Sequence, residues 1–194
     1  MKIQFAIMAV AAALCAGCST TVVRDAPKTI AVADGAKAEM TAIAEALLDL
    51  KCTKMQAVVG SWKEHAFSAE FVMKGDGEKL TVAVLAPAMR LATITLLRPH
   101  ALRYERARRI PSAFDPEYLL FDLAVVNLEK DVLSRALGDG FKVVDDGTTR
   151  TVSPRVKNGG KEPQPIAKLV RNADGTTRFV NLRHSYEYTI TPLQ

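Results

Sequence analysis

A chain of 194 residues with 26 basic and 21 acidic side chains carries a formal net charge of +5. That balance is too even for a nucleic-acid binder, which clusters cations with stacking aromatics on one face. Three cysteines cannot supply the paired framework of a disulfide scaffold. The length suffices for one domain with a sizeable core and no metal or disulfide support.

Met1 and Lys2 precede an apolar run from Ile3 to Leu14 that ends in small residues. This is the layout of a secretory signal, and it is shorter than the roughly 20 apolar residues a membrane-spanning helix needs. The text "LCAGCST", Leu14 to Thr20, resembles the lipobox of bacterial lipoproteins. In that family the cysteine receives diacylglycerol and palmitoyl groups and becomes the first residue after cleavage. The resemblance implies that Cys18 is lipid-modified, that residues 1–17 are a signal peptide, and that Ser19 directs sorting to the outer membrane, at its periplasmic face. Cys15 stands where the family usually has leucine. The alternative is an ordinary secretory signal cut nearby, which leaves a free thiol. Once Cys15 is cleaved off and Cys18 acylated, only Cys52 remains, so no internal disulfide forms. At the end of a helical pattern, it reads as a small buried side chain. Cleavage leaves 177 residues and, with Lys2 gone, a charge of +4.

Residues 18–34 read as a lipid-anchored tether, and 35–194 as a single domain. Met40, Ile43, Leu47 and Leu50 recur at helical spacing and predict one N-terminal amphipathic helix. The period then changes. Phe67, Ala69, Phe71 and Met73 alternate with polar or small neighbours as on a half-buried strand, and Gly75-Asp76-Gly77 turns the chain into a second strand, Lys79 to Ala86. Two more strands, "MRLATITLL" and "ALRYERAR", are joined across Arg98-Pro99-His100. Such spacing predicts an antiparallel meander. One long helix is expected from Asp115, a capping residue, to Leu137, with Gly138 and Gly140 ending it. Apart from Asp122, positions 118 to 126 are apolar, broader than one contact surface needs, so the helix should be enclosed on more than one side. Hairpins follow at Asp145-Asp146-Gly147 and Ala173-Asp174-Gly175, and "YEYTITP" forms the last strand.

From about Met55 to Thr191 the chain resembles a family of uncharacterised Gram-negative outer-membrane lipoproteins. The resemblance is carried chiefly by "RIPSAFDPEYLLFDLAVVN", Arg109 to Asn127, and "VNLRHSYEYTIT", Val180 to Thr191. That family looks distantly similar to the Lol-pathway lipoprotein carrier and receptor. The similarity implies an α+β fold: a curved antiparallel half-barrel with a central helix lid over an apolar cavity. The receptor's exposed apolar loop residue has no clear counterpart here, because the loop from Pro154 to Pro165 holds only Val156 among polar residues, glycines and prolines.

His65, His100 and His184 are scattered, without a second ligand at metal spacing, and read as surface or strand-end residues. No serine lies in a nucleophile-elbow context, so no catalytic residue, metal or cofactor is assigned, and the chain reads as a non-enzyme. Asp122, a carboxylate on an apolar helix, requires a partner, for which Arg106, Arg108 and Arg109 are candidates. The basic stretch from Arg98 to Arg109 is either a solvated strand or, through Arg103, Arg106 and Arg108, a contact for phosphate headgroups. Phe67, Phe71, Met73, Leu80, Val82, Leu91, Tyr104, Tyr118, Phe121, Val125 and Phe179 are the candidate lining of a cavity for an acyl chain, or else a dry core. The expected function is an outer-membrane lipoprotein that binds or transfers a lipid-like or acylated ligand without catalysis. The alternative is a structural accessory lipoprotein docking on an envelope transport or biosynthesis complex. Its expected partners are the membrane, through the acyl anchor, and a lipid ligand or an envelope protein.

Overall fold

The computed structural model describes residues 20–33, 36–87, 89–99, 101–107, 116–155 and 163–193. The signal segment, Cys18, Arg108, Arg109, His100 and Asp115 lie outside the described residues. The chain opens with three short strands, β1 (Thr20–Asp25), β2 (Thr29–Ala33) and β3 (Ala36–Glu39), and helix α1 (Met40–Leu48). Five strands follow: β4 (Lys51–Trp62), β5 (His65–Asp76), β6 (Lys79–Ala86), β7 (Met89–Leu97) and β8 (Ala101–Arg106). Helices α2 (Pro116–Asn127) and α3 (Lys130–Leu137) precede β9 (Phe141–Asp145), β10 (Thr149–Pro154), β11 (Ala167–Arg171), β12 (Thr177–Asn181) and β13 (Tyr186–Leu193).

Eleven of these strands form one antiparallel sheet in the order β1-β8-β7-β6-β5-β4-β13-β12-β11-β10-β9, and β2 and β3 pair separately. The sheet is open, with β1 and β9 at its edges. Most of its neighbours are consecutive hairpins because the turn chemistry demands it. At Asp76 the carboxylate accepts hydrogen bonds from the Glu78 and Lys79 amides at 2.9 and 2.8 Å while Gly77 adopts a φ of 101°; Asp146 and Asp174 repeat the carboxylate-to-amide device. The β4–β13 pairing closes the two meanders into one sheet, and it passes through Gly60. A Cβ there would lie 2.3 Å from the Glu187 carbonyl oxygen and 2.6 Å from the Tyr188 Cβ, so only glycine admits this approach.

One face of the sheet carries the core: Met73, Leu80, Ile94, Leu96, Leu102 and Phe179 are fully buried there. All three helices cover that face, and α1 contributes Met40, Ile43, Ala44, Leu47 and Leu48 to the interior. At roughly 1.5–3 kcal/mol for each large apolar side chain buried, this shared interior is the main stabilising term. Helix α2 touches α1, β2 and β11, and nine of its residues, Pro116 and Glu117 among them, are buried. The broad apolar surface therefore does enclose the helix on several sides.

Four expectations change. Thr20–Asp25 and Thr29–Ala33, read as tether, form strands; β1 pairs with β8 along its whole length. Cys52 belongs to strand β4, half-buried beside the core, and not to a helix end. Strand β4 was hidden because its core-side positions include Lys54, Gln56 and Gly60, which erase the alternation; Lys54 reaches past the interior to donate to Asn127 Oδ1 at 3.0 Å. The long helix from Asp115 to Leu137 is two helices. Asn127 Nδ2 donates to the Leu123 carbonyl at 3.0 Å, and Glu129, extended at φ −61° and ψ 151°, breaks the ladder.

Candidate functional site

The break between α2 and α3 is fixed by a buried ionic cluster. Arg150, from β10, donates through Nη1 to the Val125 and Leu128 carbonyls at 2.6 and 2.7 Å, taking acceptors that the end of α2 would otherwise leave unpaired. Its Nε meets Asp145 Oδ2 at 2.6 Å, and Arg171 donates to both oxygens of the same carboxylate at 3.0 and 3.1 Å. These bonds, Arg171's foremost, hold the Asp145 carboxyl well below the usual carboxylate range. The cluster explains itself as an anchor for α2.

A second polar group lies at the middle of α2. Asp122 is 1% exposed on an otherwise apolar helix. Its partners are not arginines: Asn181 Nδ2 donates to Oδ1 at 3.2 Å, and the Tyr186 hydroxyl donates to Oδ2. Asn181 and Tyr186 stand opposite one another in the β12–β13 register, so the hairpin presents both groups to the same carboxylate. Asn181 Oδ1 accepts the His184 amide at 2.9 Å, which ties the connecting turn to the pair. Burial pushes the Asp122 carboxyl up to about 7, against the opposing hydrogen bonds from Tyr186 and Asn181. Burial and the adjacent Asp122 charge drive the Tyr186 hydroxyl far above its ordinary range. Tyr188, buried behind it, shifts the same way for the same two reasons.

An aromatic column completes the seam. Phe179 stacks on Tyr188 at 5.0 Å, Tyr188 on Tyr186 at 6.3 Å, and Tyr186 on His184 at 6.3 Å; Tyr118 of α2 meets His184 edge-on at 4.4 Å. The His184 Nε2 is buried without a hydrogen-bond partner among the described residues. Burial, helped by the Arg183 charge, lowers its proton affinity. Val32, Tyr118, Phe121, Ile166, Asn181 and His184 line a closed crevice, too narrow to hold a water molecule, where β2, α2 and the β12–β13 hairpin meet.

Most of the candidate lining residues share one packed interior. Met73, Leu80, Val82, Tyr104, Phe121, Val125 and Phe179 are buried, and Phe71, Leu91 and Tyr118 are partly buried against them. Phe67, at 36% exposure, stands at the rim near the start of β5. Leu91 sits where the β6–β7 register shifts, so the core side of β7 is carried by Ala92, Ile94 and Leu96 instead. Among the described residues the interior is filled by α1, α2 and α3, and no group of three His, Cys, Asp or Glu side chains is placed to hold a metal. Arg103 and Arg106 alternate to opposite faces of β8; Arg103 is exposed and bridges Glu105 at 2.7 Å. They do not form one patch with each other.

Sequence reasoning missed Asn181 and His184 as partners of α2. The signal was present: an aspartate that must be buried in an apolar helix calls for neutral donors, and "NLRHSY" offers an amide, an imidazole and a phenol within six residues. The site is built from the two segments "PEYLLFDL" and "NLRHSYEY" brought together. Both lie within residues 53–194, which match a family model described as "Protein of unknown function (DUF3261)". The chain belongs to this family. The family region takes in β5 to β13 with α2 and α3, whereas β1, β2, β3 and α1 precede it. No curated protein matches the sequence.

Proposed function

We propose that this protein is an acyl-anchored, non-catalytic lipoprotein of the outer membrane that binds or passes on a lipid-like or acylated molecule at the periplasmic face. In this reading Cys18 carries the anchor, and the open sheet is a half-barrel of the kind found in the Lol-pathway carrier and receptor, with α2 as its lid. The observation that carries the proposal is the setting of α2. A helix buried on several sides, with Leu119, Leu120, Phe121, Leu123 and Val125 turned into an otherwise continuous apolar interior, occupies the space an acyl chain would take.

The mechanism is exchange. Each methylene moved from water into the interior gains about 0.8 kcal/mol, and a long acyl chain gains enough to offset displacing part of α2. Besides the apolar packing of α2, which the acyl chain must replace, the exchange breaks the polar contacts of Asp122 with Asn181 and Tyr186 at mid-helix and of Tyr118, which donates to the Ala31 carbonyl at 3.4 Å. The Arg150 clamp at the other end is the natural pivot. The crevice beside His184 lies along the N-terminal half of α2 and becomes the entry point in this mechanism only as α2 gives way.

A fluorescent long-chain acyl probe titrated into the purified domain tests the proposal. We expect saturable binding, displaced by unlabelled acyl chains, together with co-purifying lipid by mass spectrometry. Neither being found would overturn it in favour of the second reading, an accessory lipoprotein that docks on an envelope complex. That second reading is supported by the filled interior and by the row Leu193, Met55 and Val72, adjacent across three strands on the face away from the helices, where Met55 is 45% and Leu193 37% exposed.

A further inference from the structure

We propose that the β1 edge of the sheet lies directly on a phospholipid bilayer, in its headgroup layer, and that β9 is the end of the sheet farthest from it. The inference rests on the acylated Cys18 of the proposed function. It concerns a different property: how the folded domain is oriented on the surface to which the anchor holds it.

Only Ser19 separates Cys18 from Thr20, and an extended chain covers at most about 3.6 Å per residue, so the anchor sulfur and the start of β1 are within about 10 Å along the backbone. The seventeen-residue tether that the sequence suggests would have let the domain float free of the membrane. It is instead consumed by structure. Thr20 pairs with Arg106, Val22 with Tyr104 and Asp25 with Ala101, so β1 is part of the main sheet from its first residue.

The chemistry of that edge fits the headgroup layer. Among the described residues β1 pairs with β8 on one side only, which leaves the backbone groups of its other side open to an external partner. An apolar strand edge in bulk water invites association with other chains, and in hydrocarbon its backbone groups would find no hydrogen bonds. The hydrated interface between those two media satisfies both demands. Val22 and Val23, 41% and 68% exposed, supply apolar contact on the two faces of the strand. Arg103, opposite Val23 in register, exposed and bridged to Glu105, brings a cation to the phosphate level once it exchanges that carboxylate for a phosphate. Successive strands are spaced about 4.8 Å apart, and β9, ten strands along the sheet from β1, forms its opposite edge.

The test uses the full chain, acylated and reconstituted in vesicles of phosphatidylethanolamine and phosphatidylglycerol. A fluorescent amino acid is incorporated at position 23 in one sample and at position 144, on the exposed Val144 side of β9, in another; quenching by headgroup spin-labelled lipid is then measured. We expect quenching at 23 at least fivefold stronger than at 144. Equal, weak quenching at both positions while the protein remains vesicle-bound would overturn the orientation and leave the acylation reading intact. A chain that takes up no labelled palmitate and does not bind vesicles would overturn the acylation reading, and this inference with it. Both probes replace exposed valines, so folding is retained, and far-ultraviolet circular dichroism of each sample verifies it.

Discussion

Replacing Asp122 by asparagine should flatten the dependence of stability on pH between about 4 and 7. The sign follows from the direction of the shift. Burial raises this carboxyl from 3.8 to about 7 in the folded chain, so the folded state favours the proton and the unfolded state gives it up. Stability from this group is fully present below pH 4 and is lost as the pH climbs through 7. The loss is on the order of 4 kcal/mol, since one pKa unit corresponds to about 1.4 kcal/mol. Two other groups act with the opposite sign. Asp145, held low by Arg171, loses its contribution only as the pH falls below the ordinary carboxylate range, and His184, whose protonation burial disfavours, loses stability as the pH falls through 6.5. Both are present in either protein, so the difference between the two profiles isolates Asp122. Urea unfolding at pH 5 and pH 8 reads it directly. Asp122→Asn is expected to be the less stable form at pH 5, where its amide meets the Asn181 amide, and the more stable form at pH 8. Parallel profiles for the two proteins would show that Asp122 does not titrate in this range.

The Arg150→Met variant should lose about 3–5 kcal/mol, the range for breaking a buried ion pair from one side. The guanidinium is 4% exposed and makes three contacts of 2.7 Å or less. Methionine replaces its volume but leaves the Val125 and Leu128 carbonyls without their donor and Asp145 with Arg171 alone. Thermal or urea unfolding at pH 7 gives the magnitude. Arg150→Lys should recover part of the loss, because an ammonium on a similar stem reaches one acceptor but lacks the fork that serves two elements. A loss under 1 kcal/mol in Arg150→Met would mean that the end of α2 is secured by packing alone.

How far the sequence foretold this molecule depended on how local each determinant was. Strands β6 and β8 carry buried residues at every second position, and Asp76 sets the turn into β6 by bonding the amides just beyond it; both signals sit within ten residues. Strand β4 has no such signature, because Lys54 and Gln56 occupy its helix side between the half-buried Cys52 and the buried Val58. Nor does β1: its place is decided by β8, some eighty residues away, and nothing in "TTVVRD" distinguishes an edge strand from a linker. The break after Asn127 depends on an arginine from β10. Asp122 was legible as a buried carboxylate needing a partner, but the partner was not. Arginines nearby in sequence were the natural candidates, whereas the fold supplies an amide and a phenol from a hairpin about sixty residues on.

The exchange of α2 for an acyl chain is tested most directly by backbone amide hydrogen exchange with and without a saturating long-chain acyl probe. Residues 119–126 should exchange at least tenfold faster in the bound state, with β5, β6 and β12 as protected as before. A probe that binds saturably while those amides keep their full protection would contradict the account, because the helix would not have given up its place.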